Sequence, residues 1–202
     1  MKIVCIGRNY AAHAKELGNS IPEEPVFFLK PETAIHDRNA PFKIPEWSNN
    51  IHYELELIFQ IKNSWSGQPV KKLSHVVDRY NIGLDLTARD IQDEFKKKGL
   101  PWEKAKAFDG SAVIGDWFME IPKDISSIAF RLEKNGTIVQ QATAAEMIHS
   151  PAALIEYVSR FITLERGDLL FTGTPAGVGK LEKSDLLVGY LDGTEHLKLS
   201  VE

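Results

Sequence analysis

The stretch Tyr80-Asn-Ile-Gly-Leu-Asp-Leu-Thr-Ala-Arg-Asp-Ile-Gln-Asp93 reads as a strand that runs directly into a helix and delivers Asp85 to the junction. Thr87 followed three positions later by Asp90 has the spacing of a capping box, which would satisfy free N–H groups of the first turn. Arg89 and Gln92, also three apart, share one helix face, whereas Ile91 and Phe95 mark an apolar one. Lys96, Lys97 and Lys98 suit the negative end of the helix dipole, and Gly99 suits a left-handed cap. The helix is therefore expected to end near Lys98, with an acid, a guanidinium and an amide gathered at its start.

Working outward, Ile51-His-Tyr-Glu-Leu-Glu-Leu-Ile-Phe-Gln-Ile-Lys62 alternates with period two. Ile51, Tyr53, Leu55, Leu57, Phe59 and Ile61 take one face of a strand; His52, Glu54, Glu56, Ile58 and Gln60 take the other. Glu54 and Glu56 consequently point the same way. Two neighbouring carboxylates repel, so burying them calls for a cation or hydrogen-bond donors, and a divalent metal is one solution. A half-exposed sheet face on which water solvates both charges fits the same pattern.

Towards the amino terminus, residues 2–6 read as a first strand, and Tyr10–Leu17 as a short helix that Asn9 could cap and Gly18 could end. His13 and Glu16 lie three apart on that helix and can pair, although an unremarkable exposed pair has the same spacing. Val26-Phe-Phe-Leu-Lys30 is a strand ending at Pro31, with Lys30 free to meet an anion or solvent. Lys106 sits between small residues near a turn, where a lysine is ordinarily exposed.

The second half supplies mostly architecture. Asn135-Gly136 and Asp192-Gly193 are expected to turn hairpins. Ser150-Pro151 opens a helix whose apolar stripe is Leu154, Val158 and Phe161. Leu169–Thr172 reads as a strand, after which Gly173-Thr174-Pro175 turns sharply and exposes backbone donors and hydroxyls. Gly177-Val-Gly179-Lys180 superficially resembles a phosphate loop, but Thr174 holds the first glycine position and Leu181 follows the lysine, so a nucleotide-triphosphate site is rejected.

Composition bounds these readings. A chain of 202 residues without an obvious linker is expected to form one domain, residues 1–202, of mixed, β-rich α+β class. A net charge of −4, from 24 basic and 28 acidic residues interspersed, carries no nucleic-acid footprint. Cys5 is the sole cysteine, which excludes an intrachain disulfide and a cysteine-based zinc cluster. The first apolar run is short and looks like a strand rather than a signal peptide, and no run approaches the ~20 residues that span a membrane. A cytoplasmic protein is expected. Glu54, Glu56 and Asp85 together offer three oxygen donors suited to Mg²⁺, with Mn²⁺ a second option and Zn²⁺ less favoured. Spacing alone does not bring them together.

The order of motifs does more. Gly7-Arg-Asn-Tyr-Ala-Ala-His13, Phe28-Leu-Lys-Pro31, His52-Tyr-Glu-Leu-Glu56, Leu84-Asp-Leu-Thr-Ala-Arg-Asp90 and Thr172-Gly-Thr-Pro175 run through essentially the whole chain. In this combination the sequence resembles the fumarylacetoacetate hydrolase family, particularly its short acylpyruvate hydrolase/oxaloacetate decarboxylase branch. The resemblance implies a mixed β-roll with short peripheral helices, assembled as a homodimer, holding Mg²⁺ or Mn²⁺ and no organic cofactor. Carried over by matching motifs, Glu54, Glu56 and Asp85 look like the metal ligands. His13 and Glu16 match a catalytic dyad on a lid helix, and Lys106 matches an active-site lysine. Arg89 and Gln92 match substrate-side residues, with Lys30 and Thr174 as further pocket residues.

The implied activity is cleavage of the carbon–carbon bond of acylpyruvates, 1,3-diketo acids, to pyruvate and a carboxylic acid. In that reaction His13, aligned by Glu16, would be general base for water, and Lys106 would stabilise the oxyanion. Oxaloacetate decarboxylation and tautomerisation of a 2-oxo acid use the same motifs and stand as alternatives. The acidic triad alone would also suit a metal-binding protein without turnover.

Overall fold

The alternation in residues 51–61 becomes two packed faces. In the computed structural model, which describes residues 1–202 apart from Leu17, Asn19, Ile21 and Trp117, Leu55, Leu57, Phe59 and Ile61 enter the main core. Ile58, on the opposite face, packs with Ile3, Cys5, Ala34 and Phe171 in a second apolar cluster. Both faces of this strand are thus covered, which is why its inner residues are almost entirely shielded from water.

The expected single strand is in fact two. Ile51–Tyr53 pairs with Thr87–Ala88 and Gly179–Lys180, whereas Leu55–Ile61 pairs with Val77–Asp85 and Leu169–Phe171. The break falls at Glu54, beside which the Leu55 N–H donates to Gln140 Oε1 at 2.9 Å instead of to a neighbouring strand. Among the described residues the largest sheet runs Val26–Pro31, Lys2–Gly7, Leu169–Phe171, Leu55–Ile61, Val77–Asp85, Ala112–Ile114, with Met119–Glu120 joined to Val77–Asp85. Lys2–Gly7 and Leu169–Phe171 are parallel and the other pairs antiparallel, so the sheet is mixed.

Two hairpins build a further sheet, ordered Thr137–Thr143, Ala129–Lys134, Leu186–Leu191, Thr194–Ser200. Both turns form where expected. Asn135 and Gly136 have φ of 52° and 78°, and Asp192 and Gly193 have 48° and 83°, the paired left-handed conformations that match the twist of adjoining strands.

The helices are short and carry the corrections. Arg89–Lys98 ends as expected at left-handed Gly99, but its start has no capping box. Ala88 occupies the N-cap, Thr87 Oγ1 accepts from Lys106 Nζ, and the Asp90 carboxylate is taken by Ser48 Oγ and the Asn49 N–H. Tertiary donors outcompete the local ones. The first helix spans Ala11–Glu16, with the expected end at Leu17 outside the described residues. Asn9 does not cap it: its side chain donates to His149 O and Thr172 O and accepts from the His149 N–H, tying three segments together. In Pro151–Val158, Ser150 caps and Leu154 and Val158 are buried as expected, whereas Phe161 lies beyond the helix and is 65% exposed. No helix of the described residues is long and apolar enough to cross a membrane.

Candidate active site

Where the Leu55–Ile61 and Val77–Asp85 strands pair, three carboxylates converge. Glu56 lies opposite Gly83, one residue along from the Leu55–Leu84 pair, and the Asp85 N–H donates to Glu54 O at 2.9 Å. Glu54, at the strand break, faces the same space as Glu56. One ligand atom from each of Glu54, Glu56 and Asp85 lies within 4.8 Å of the others, and all three residues are buried.

Ionised carboxylates removed from water cost several kcal/mol each, on the order of, unless cations and donors compensate. Lys106 Nζ donates to Glu54 Oε2, Asp85 Oδ2 and Thr87 Oγ1 at 2.7, 2.7 and 2.6 Å. Arg89 pairs with the other Glu54 oxygen and donates to Gln92 Oε1 at 2.6 Å. Lys30 Nζ lies 2.8 Å from Asp85 Oδ1 and donates to Ser111 O and Ser111 Oγ at 2.9 Å. Burial alone would raise the Glu54 carboxyl, but the Lys106 and Arg89 charges outweigh it and hold the group well below the usual range. Burial likewise acts to discharge Lys106, and Asp85 with Glu54 more than reverses this, so the ammonium persists.

Glu56 differs. Its Oε2 accepts the Gly173 N–H at 2.8 Å, and it has no ion-pair partner among the described residues. Burial, then repulsion from Asp85 and Glu54, pushes its carboxyl well up. Gly173 is needed for this contact: at φ 93°, a Cβ there would sit 2.9 Å from Asn9 Cβ. Three convergent oxygen donors, one lacking its own cation, fit a hard divalent ion, and the set contains no nitrogen or sulfur ligand that would favour a softer one.

These residues floor a cleft that opens to solvent. Of the residues singled out in the sequence, His13, Glu54, Glu56, Asp85, Arg89, Gln92, Lys106 and Thr174 line it. His13 Nδ1 is 3.2 Å from Glu16 Oε2, and Glu16 Oε1 accepts the Gly177 N–H at 3.0 Å. Glu16 therefore stands behind the imidazole and latches its short helix to the Gly173–Gly179 turn. Lys30 is fully buried behind Asp85 rather than on the cleft wall, so it touches the carboxylate and not the open space.

Sequence reasoning overlooked four residues here. Gln140, fully buried at a bulge of its hairpin, accepts from the Leu55 N–H and donates to Thr174 Oγ1 and Pro175 O at 2.8 and 2.9 Å. It splices the break after Glu54 to the Thr174 turn, and nothing local in its sequence signals that. Ser111 supports Lys30. Arg8 and Lys96 line the cleft; Arg8 belongs to the Gly7–His13 motif, and the position of Lys96 marks it only as a helix-end charge.

The chain is 44% identical over 194 residues to oxaloacetate tautomerase YcgM of Escherichia coli K12, covering 95% of this chain and 89% of that protein. It is 40% identical to human mitochondrial oxaloacetate tautomerase FAHD1, with coverage of 99% and 91%. Among solved structures, a fumarylacetoacetate hydrolase family protein from Yersinia pestis CO92 superposes with TM-score 0.94 at 41% identity, covering all of this chain and 93% of that one. Fumarylpyruvate hydrolase from Pseudomonas aeruginosa, solved with Mn²⁺ and pyruvate, superposes with TM-score 0.89 at 37% identity and coverage of 100% and 89%. The family model for the fumarylacetoacetate hydrolase C-terminal region matches residues 2–200, and the chain belongs to the fumarylacetoacetate hydrolase family.

Proposed function

We propose that the protein is a Mg²⁺-dependent enzyme that interconverts the keto and enol forms of a small 2-oxo acid, with oxaloacetate the first substrate to test. The observation that carries this reading is the pairing of His13 with Glu16 at the edge of a cleft whose floor is the acidic triad. The names of the relatives at 40–44% identity point the same way. Glu54, Glu56 and Asp85 would hold the metal, which when bound polarises the 2-oxo group and offsets the charge of the adjoining carboxylate.

Tautomerisation needs a base that takes a proton from carbon and a donor that supports charge on oxygen. With Nδ1 directed at Glu16, the Nε2 of His13 is the ring nitrogen left to exchange a proton with a ligand. His13 takes the proton from the carbon next to the 2-oxo group. The C–H pair becomes the C=C bond, and the carbonyl π pair moves to oxygen, which is protonated in turn. Glu16 orients the ring and offsets the charge that it acquires. Lys106, kept cationic by Glu54 and Asp85, supports the developing oxyanion. Arg89 and Gln92, bonded to each other, form the wall against which a carboxylate is held. No water is consumed.

Hydrolysis of an acylpyruvate is the second reading, favoured by the likeness to a fumarylpyruvate hydrolase and by the fact that a His–Glu pair can also activate water. Decarboxylation of oxaloacetate is a third. Progress curves with oxaloacetate, acetylpyruvate and fumarylpyruvate, with Mg²⁺ and after chelation, test the assignment. Metal-dependent keto–enol interconversion without pyruvate supports it. Pyruvate with a carboxylic acid, or pyruvate with carbon dioxide, moves the assignment to the second or third reading.

A further inference from the structure

Two cations of the cleft have no ion-pair partner among the described residues. Arg89 and Lys106 are committed to Glu54 and Asp85, but Arg8 and Lys96, which line the same space, make no ion pair with any described residue. They come from different parts of the chain: Arg8 follows the first strand, and Lys96 projects from the third turn of the Arg89–Lys98 helix. Neither charge offsets a buried acid.

The Arg8 backbone and the Lys96 ammonium are each constrained by neighbours. Arg8 has φ 61°, a left-handed conformation that is uncommon for a residue with a side chain and that persists only where neighbours impose it. Asn9 supplies the constraint through its three hydrogen bonds to Thr172 and His149. The Lys96 ammonium lies 5.7 Å from the centroid of the Trp102 ring, and Trp102 in turn packs edge-on against Phe28 of the cleft wall. Burial lowers the Lys96 pKa and the charge of Arg89 adds to this, against Asp93, with Arg8 and Lys106 acting in the same direction as Arg89. Lys96 thus sits in a locally positive field that an anion would relieve. The three acids of the cleft are already matched with Lys106, Arg89, Lys30 and the metal that they are suited to hold, so that anion has to come with the ligand.

We infer that Arg8 and Lys96 form a second carboxylate subsite at the rim of the cleft, which selects dicarboxylic 2-oxo acids over monocarboxylic ones of the same chain length. The first carboxylate and the 2-oxo group lie toward the triad and Arg89; the distal carboxylate lies between the Arg8 guanidinium and the Lys96 ammonium. The inference rests on the reading of the cleft as a site for small 2-oxo acids, and it adds which of them fit.

Binding of two stable ligands tests it without turnover. Malate and 2-hydroxybutanoate have the same four-carbon chain and differ in a distal carboxylate against a methyl group. Calorimetric titration of the Mg²⁺-loaded protein is expected to give malate the higher affinity by about 10- to 100-fold, the value of one or two charge-assisted hydrogen bonds. Arg8→Asn, which tolerates the left-handed backbone, and Lys96→Met on an external turn are each expected to cut that ratio by about tenfold, and the double variant to bring it near one. No preference for malate in the wild type, or a preference that survives in both variants, overturns the inference. An equal loss for both ligands also overturns it, since that outcome makes Arg8 and Lys96 supports of the cleft rather than a subsite. If the protein binds malate selectively yet turns over no 2-oxo acid, the subsite stands and the catalytic reading fails.

Discussion

Lys106 Nζ donates to Glu54 Oε2 across 2.7 Å and thereby holds, as a side chain, charge that a metal would otherwise offset. The same ammonium reaches Asp85, so one lysine bridges two of the three candidate ligands. Removing it leaves the triad more negative and removes the positive charge that would offset an oxyanion. Lys106→Met is expected to bind Mn²⁺ at least about tenfold more tightly than wild type by electron paramagnetic resonance of the free ion. Its turnover is expected to fall by about 10²- to 10³-fold. Weaker Mn²⁺ binding in that variant would show that Lys106 supports the ligand geometry rather than competing with the metal.

Glu56 is the acid without a cation, and its carboxyl is raised by burial and by its acidic neighbours. The sign of the pH effect follows. The folded protein then keeps a proton that the unfolded chain, with a carboxyl near its usual ~4.3, has already released, so metal-free stability falls as pH rises above that value. Glu56→Gln is expected to raise the melting temperature of the metal-free protein at neutral pH, by about 2–4 °C for each kcal/mol of strain removed. The same variant should lose the stabilisation that Mg²⁺ gives the wild type. A melting temperature unchanged without metal, with Mg²⁺ stabilisation intact, contradicts the assignment of Glu56.

His13 and Glu16 act as a pair across 3.2 Å. His13→Gln is expected to lower turnover by about 10²- to 10⁴-fold while leaving Mg²⁺ affinity within about threefold, since the imidazole is no part of the triad. Glu16→Gln keeps an acceptor for the Gly177 N–H but removes the charge behind the ring. Its turnover is expected to fall by about 10- to 100-fold with Mg²⁺ affinity unchanged, and wild-type turnover in Glu16→Gln counts against the pair.

Gln140 offers a stability test of the scaffold directly behind the cleft. Gln140→Leu removes the acceptor of the Leu55 N–H and both donor contacts to the Thr174–Pro175 turn. Leaving a buried N–H without a partner is expected to cost about 1–3 kcal/mol, read as a lower urea midpoint with unchanged slope. A midpoint equal to wild type would mean that the break after Glu54 holds itself.

The parts of this fold that were legible in the sequence are those decided by neighbours along the chain. Period-two alternation fixed the two faces of residues 51–61, and Asn135-Gly136 and Asp192-Gly193 turned as their backbone preferences require. The parts that were not legible depend on partners far away. Thr87 had the spacing to cap its helix, but Lys106 took its hydroxyl, and Ser48 and Asn49 took Asp90. The strand break at Glu54 depends on Gln140, 85 residues from Leu55. Lys30 ended in a strand pattern that left its tip free, and only the packed structure brings it against Asp85. Alternation could align Glu54 with Glu56; bringing Asp85 to them took the pairing of two strands.

The most direct measurement is the rate at which enol oxaloacetate converts to the ketone, followed by the ultraviolet absorbance of the enol with saturating Mg²⁺ and corrected for the uncatalysed reaction. Catalysis in both directions without accumulation of pyruvate, abolished by chelation, by Glu56→Gln and by His13→Gln, is the result expected. An interconversion rate equal to the uncatalysed one, in a preparation that binds Mg²⁺ at the triad, contradicts it.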